Sequence, residues 1–270
     1  MSRGGVSFVS QGDSSVVGAV LHDNQVANGY LRTVGPAPAP VCHSGDGFSA
    51  PTGTGGDENV AVFGGAEVAY HMIGTQTILA PVPGNGRLVM GLDETLADGV
   101  EYLFGRGLVA ADNPMATVAG GPGQGKLVSL AVNLGTVANS GECAVGFRKA
   151  EAFNALIDSY TDFAVLNVQA GVINIETNLN AGGTVTVDTG LTMVDGVTRT
   201  LEARLYINGG VRFFVDGVLV GPVNFVFDAG DEILPIQHWL QITGGSSMEW
   251  ERAEVGSLWH ARKDPFIQRA

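Results

Sequence analysis

The residues that could do chemistry are few and widely spaced. Gly120-Gly121-Pro122-Gly123-Gln124-Gly125-Lys126 matches a phosphate-binding loop as far as its lysine, but Leu127 stands where a magnesium-binding Ser or Thr is required. The strand-like LVSLAVNLG follows, so no helix N-terminus is expected to face a phosphate, and a flexible linker is the better reading. Glu249-Trp250-Glu251 would set two carboxylates on one face of a strand, with a tryptophan that could stack a sugar. Glycosidases need such a carboxylate pair at defined separation, yet alternation alone puts many pairs on one face, and an exposed edge with an aromatic anchor is expected instead. His22, His43, His71, His238 and His260 show no metal-ligand spacing, and Cys42-His43 is too tight for two ligands on one zinc. Asp228, Asp231 and Glu232 could line a calcium loop, but the ligand pattern is incomplete and a solvated turn is favoured, so no cofactor is expected. Ser44, Ser140 and Ser159 lack a Gly-x-Ser-x-Gly elbow. The spacing predicts no catalytic residue.

The elements around these residues read as strands. The chain has 270 residues, 45% of them hydrophobic, enough for a continuous core without disulfides. Its 40 glycines are about twice the usual ~7% and fall in turn dipeptides between apolar runs, which favours a sandwich or barrel. Strands are expected over 126–134, 143–149, 163–169, 172–178, 184–188, 200–207, 211–215 and 233–243, after earlier ones at 59–63, 67–73 and 87–92. Leu201, Ala203, Leu205 and Ile207 alternate with Glu202, Arg204 and Tyr206, as in a strand with one wet face. Asn85-Gly86 and Asp98-Gly99 read as hairpin turns, and Ala150 to Ile157 as a short connecting helix.

Three regions follow. Residues 1–57 form an extended arm and loop, in which Pro36, Pro38 and Pro40 impose polyproline geometry. Residues 58–119 are β-rich, either a small subdomain or the first strands of the main sandwich. Residues 120–270 carry the main sandwich and a C-terminal tail with Trp250, Trp259, Arg262 and Phe266, types enriched at protein interfaces.

Charge narrows the partners. With 14 basic against 27 acidic residues, the net charge of −13 offers no basic stripe for nucleic acid. No apolar run reaches membrane-span length, no signal-peptide core is present, and two cysteines so far apart suggest reduced, buried thiols in a protein made in a cytoplasm.

From Glu142 to about Pro235 the chain resembles the concanavalin A-like lectin/glucanase jelly roll as found in tailed-bacteriophage virion proteins. The resemblance is carried by Thr161-Asp162-Phe163, by Asp195-Gly196-Val197-Thr198-Arg199-Thr200-Leu201, and by Gly210-Val211-Arg212-Phe213-Phe214-Val215-Asp216-Gly217. It implies an all-β jelly-roll β-sandwich with an extended N-terminal arm. The Glu-x-Asp-x-x-Glu pattern of retaining glucanases is missing. Taken with the arm and the tail, it implies a non-enzymatic capsid decoration (cement) protein on the virion surface, whose partners are the major capsid protein and copies of itself, a trimer favoured. The alternatives are a carbohydrate-binding adhesin or tail-fibre module, with Trp250, Trp239 or Tyr206 stacking a glycan, and a structural tail or neck component.

Overall fold

A computed structural model describes residues 31–33, 58–63, 66–74, 78–84, 87–92, 98–104, 117–118, 125–221, 224–241 and 247–259. Side chains are described at 70–74, 98–104, 125–221, 224–241 and 248. Pro36, Pro38, Pro40, Arg262, Phe266, Cys42, His22, His43, His260 and Ser44 lie outside the described residues.

The strands are β1 (Leu31–Thr33), β2 (Glu58–Phe63), β3 (Ala66–Ile73), β4 (Ile78–Gly84), β5 (Arg87–Leu92), β6 (Asp98–Leu103), β7 (Thr117–Val118), β8 (Gly125–Leu134) and β9 (Ser140–Lys149). They continue as β10 (Phe163–Gln169), β11 (Val172–Asn178), β12 (Val185–Thr192), β13 (Arg199–Leu205), β14 (Val211–Val215), β15 (Val218–Val220), β16 (Glu232–Gln241) and β17 (Ser247–Trp259). All pairings between them are antiparallel and make two sheets. One runs β15-β14-β13-β8-β17-β5-β4 with β1 on β17, and the other runs β12-β11-β10-β9-β16-β6-β3-β2 with β7 on β16. The protein is an all-β jelly-roll sandwich, and strands from 58–103 enter both sheets beside the later ones.

The core lies between the sheets. Val128, Leu130 and Val132 of β8 face Val145 and Phe147 of β9, Leu166 of β10 and Trp239 of β16, all fully buried. Period-2 alternation puts every second side chain there. Trp239 is among the largest, and its indole Nε1 donates to Ser140 Oγ at 3.2 Å. Cys143 joins the same cluster, and burial pushes its thiol up to about 12, so it is an inert small hydrophobe.

Several sequence expectations are corrected. Asp98-Gly99 is no hairpin turn: both residues open β6, which pairs with β3 and β16. A Cβ at Gly99 would lie 2.0 Å from the Trp239 carbonyl oxygen, so this glycine serves a close backbone approach. The expected helix at 150–157 is an irregular strap with one 3-10 turn at Ile157–Ser159. Side-chain acceptors divert its backbone: Glu151 Oε1 takes the Thr161 N–H at 2.8 Å, and Tyr160 Oη takes that of Asn154 at 3.1 Å. The wet face expected on β13 is dry, since Glu202 and Arg204 are buried and bonded, Nε to Oε1 at 2.6 Å, with the guanidinium 3.9 Å from the Phe214 ring centre.

The turns that carried the family resemblance do form. Asp216 and Gly217 sit at φ +50° and +78°, the left-handed pair of a tight hairpin between β14 and β15. Asp216 also accepts the Thr200 N–H at 2.8 Å and pairs with Arg199, tying the hairpin to β13. Asp195 Oδ1 accepts the Val137 N–H at 2.7 Å.

Candidate functional site

Cross-strand register builds a polar row on the face of the second sheet that points away from the core. His71 of β3 stands opposite Glu101 of β6, Glu101 opposite His238 of β16, and His238 opposite Ala144 of β9. Ala144 then faces Asn167 of β10, and Asn167 faces Asn174 of β11. Residues scattered over a hundred and seventy positions thereby share one line across six strands.

Glu101 is the hub, with no solvent exposure. Arg148 Nε and Nη2 donate to its Oε1 at 2.9 and 2.6 Å, and the Tyr160 hydroxyl donates to its Oε2 at 2.6 Å. The Arg148 guanidinium also lies 4.4 Å from the Tyr160 ring centre. On the other side, His238 Nδ1 is 3.6 Å from Glu101 Oε2 and its Nε2 is 3.3 Å from Glu142 Oε2. Neither nitrogen makes a hydrogen bond of good geometry, so the contacts are ion-pair contacts between a sandwiched imidazolium and two carboxylates.

Burial would raise the Glu101 carboxyl, but Arg148, helped by His238, holds it down at about 2. Burial would likewise strip His238 of its proton, yet Glu101 and Glu142 outweigh that and keep its pKa at about 9. Glu176 of β11 accepts from Asn167 Nδ2 at 2.8 Å, and burial, which this bond only partly offsets, pushes its carboxyl up to about 7, with Asp158 and Glu142 adding repulsion.

These shifts fix a pH profile. Glu101 stabilises the fold above its ordinary 4.5 and loses that contribution as pH falls toward 2. His238 contributes fully below its ordinary 6.5, and the contribution is lost as pH rises through 9. Glu176 favours the folded state while protonated, so its contribution declines from 4.5 through 7. Urea midpoints followed by tryptophan fluorescence are expected to peak near pH 5 and fall on both sides; a flat profile from pH 3 to 9 contradicts this.

The site is covered. The strap, residues 150–162, lies over it with Ile157 and Tyr160 packed against Ala144, Val165 and Ile236, and Phe153 stacks on His71 at 4.6 Å. Glu101, Arg148 and His238 have no exposed side-chain surface, and the Glu142 side chain keeps 11%. The hub of the row is therefore an internal clamp, which among these four side chains reaches solvent at Glu142 alone.

The residues singled out in the sequence are not brought together. Gly125 opens β8 and Lys126 is its second residue, so no helix follows the glycine-rich stretch. In β17 the register shifts between Trp250 and Arg252, which makes Glu251 the extra residue of a bulge and breaks the alternation that would align it with Glu249. Trp250 pairs with Val132 and Leu88, and Trp259 with Leu31, so their backbones belong to the sheet. Trp239 is in the core and cannot stack a ligand.

Asp228 accepts from Asn180 Nδ2 at 2.8 Å, Asp231 binds the Lys149 ammonium at 2.7 Å, and Glu232 begins β16. The lysine thus occupies the position a cation would take beside Asp231. Among the described residues no cluster of His, Cys, Asp and Glu could hold a metal ion.

Sequence reasoning missed Glu101, Glu142, Arg148, Tyr160 and Glu176, and weighed His238 only as a metal ligand. A signal existed: Glu101 stands between Val100 and Tyr102-Leu103-Phe104, and Arg148 closes the run Cys143 to Phe147, charges placed in strands buried on both faces.

No family model matches the chain, and no curated protein matches it. Among solved structures, the potassium-bound carbohydrate recognition domain of Emp46p aligns with a TM-score of 0.49 and 10% identity, over 69% of this chain and 87% of that one. A protein of unknown function from Shewanella oneidensis MR-1 gives 0.47 and 10%, over 72% and 80%. The SPRY domain of human HERC1 gives 0.41 and 12%, over 66% and 92%. Likenesses this distant leave ligand and activity to be argued from this chain's own residues.

Proposed function

We propose that this chain is a non-enzymatic assembly module, a capsid decoration protein of a tailed bacteriophage that attaches to the outside of the head and stabilises the major capsid shell. The supporting observation is where the sandwich leaves apolar side chains uncovered. β8 packs over β9 and β16, β13 over β9 and β10, and β14 over β10, so the edge strands β12 and β15 close the same side. There Val185 is 59% exposed, Val218 65% and Leu219 37%, three of the nine large apolar side chains exposed among the described residues. Apolar groups left uncovered along these two edges suit a protein-binding surface.

Those edges are also blunted. β15 is three residues long, and β12 carries a register shift opposite Ile173 and Asn174 with Gly190 at φ +74°. Both features oppose open-ended strand addition and suit side-chain contact at a defined lattice position. With a net charge of −13, neither nucleic acid nor an anionic membrane fits as partner.

Co-sedimentation with heads of the cognate phage, purified free of this protein, is the test. Val185→Lys combined with Val218→Lys is expected to weaken attachment about tenfold or more, a loss near 1.4 kcal/mol, while leaving the urea midpoint unchanged. Undiminished attachment by the double variant would overturn the edge assignment. Failure of the unsubstituted chain to bind heads, with saturable binding on a glycan array, would favour the carbohydrate-binding alternative.

A further inference from the structure

A sheet edge left open is a template for another strand, and the edges of this sandwich are not treated alike. β15 has three residues, β12 carries a register shift and Gly190 at φ +74°, and β1 and β7 run for three and two residues. In β4, Gly84 stands opposite Arg87 across two intervening residues, a pair so close in sequence that it can be bridged only by exchanging both backbone hydrogen bonds. Val82 and Gly84 therefore bond β5, and Pro83 faces the free side with no N–H to offer.

β2 has none of these blocks. It pairs with β3 over six unbroken positions, ends its sheet, and contains no proline or glycine. Phe63 opposite Ala66 is again a pair separated by two residues, so Phe63, Ala61 and Asn59 bond β3. The backbone N–H and C=O of Glu58, Val60 and Val62 consequently point off the edge, with no strand beyond them among the described residues. Glu58 is the only charged residue of the strand.

We propose that β2 is the docking edge for a second copy of this chain, the two β2 strands pairing antiparallel about a two-fold axis at Val60. In that register Val60 faces Val60, and Glu58 faces Val62 of the second copy, so every outward N–H and C=O finds a partner. The two Glu58 residues then stand about 14 Å apart along the strands, beyond a Debye length of about 8 Å. A slip of one residue would set outward groups against inward ones, and a slip of two leaves an outward residue of each copy unpaired. The pairing is isologous and closes, because β12, β15 and β4, the edges that remain, are the blocked ones. Its product is a dimer, where the sequence reading favoured a trimer. β2 and β12 end the same sheet on opposite sides, so pairing leaves the β12 and β15 edge free on both copies, and the proposal stands independently of the capsid reading.

Sedimentation velocity of the full chain, from about 1 to about 100 μM, tests the pairing. A monomer–dimer equilibrium is expected, with amide exchange in a peptide spanning 58–63 slowing as the dimer fills. Val60→Pro removes the donor at the axis and no bond to β3, and is expected to weaken dimerisation about tenfold or more. Val60→Lys, which sets like charges opposite each other at the axis and asks nothing new of the backbone, is expected to do the same while leaving the urea midpoint of the dilute chain unchanged. A trimer, a series of growing oligomers, or a dimer that Val60→Lys leaves intact overturns the proposal. So does a chain that stays monomeric throughout, including one whose 58–63 amides gain protection only on cognate heads, which would give the edge to the capsid.

Discussion

Replacing Arg148 with Met is expected to lower the unfolding free energy by about 3–5 kcal/mol, the loss typical of removing one partner from a buried ion pair. Glu101 has no exposed surface and receives two of its hydrogen bonds from Arg148, so the variant strands a carboxylate that neither Tyr160 nor His238 neutralises fully. The size of the loss comes from the stranded charge. Arg148→Met combined with Glu101→Gln is therefore expected to recover more than half of it, because the amide can still accept from Tyr160. Urea unfolding of the two single variants and the double variant measures this as a coupling. Additive losses would show that Arg148 and Glu101 do not act as a pair.

Trp239→Ala carries the second large effect, about 3–5 kcal/mol of stability, through the cavity left between the sheets and the loss of the indole's hydrogen bond to Ser140 Oγ. This residue was one of three candidates for stacking a sugar. Because it is fully buried, any change in glycan binding by the variant is expected to follow the unfolded fraction and nothing more. A variant with an unchanged urea midpoint would place Trp239 outside the core.

Local rules carried most of the strand reading. Val-, Ile- and Phe-rich runs bounded by glycine turns placed β8 to β11 and β14 within a few residues, and Asp216-Gly217 turned as its dipeptide suggests. The same rules failed where a distant strand decides. Gly99 looks like a turn residue until the Trp239 carbonyl is brought against it, and Glu251 looks aligned with Glu249 until pairing with β8 inserts a bulge. Ala150 to Ile157 has helical composition, but Tyr160 Oη takes the Asn154 N–H and Glu142 Oε2 that of Ile157.

The polar row was illegible for the same reason. His71, Glu101, His238 and Asn167 come from four strands that only a folded register can align. Charges within or at the end of apolar runs were the available trace, and local periodicity discards them as noise. What periodicity does reveal is the inward half of each strand; what lies on the outward half, as with Glu202 and Arg204, depends on what covers it.

Thermal release of packaged DNA from heads of the cognate phage, with and without saturating amounts of the chain, tests the proposed function most directly. A ligand that binds only the closed shell raises its opening temperature by mass action and avidity. The expected result is a higher release temperature that scales with occupancy and is lost in the Val185→Lys, Val218→Lys variant. Heads that open at the same temperature whether or not the chain is bound would contradict a decoration role.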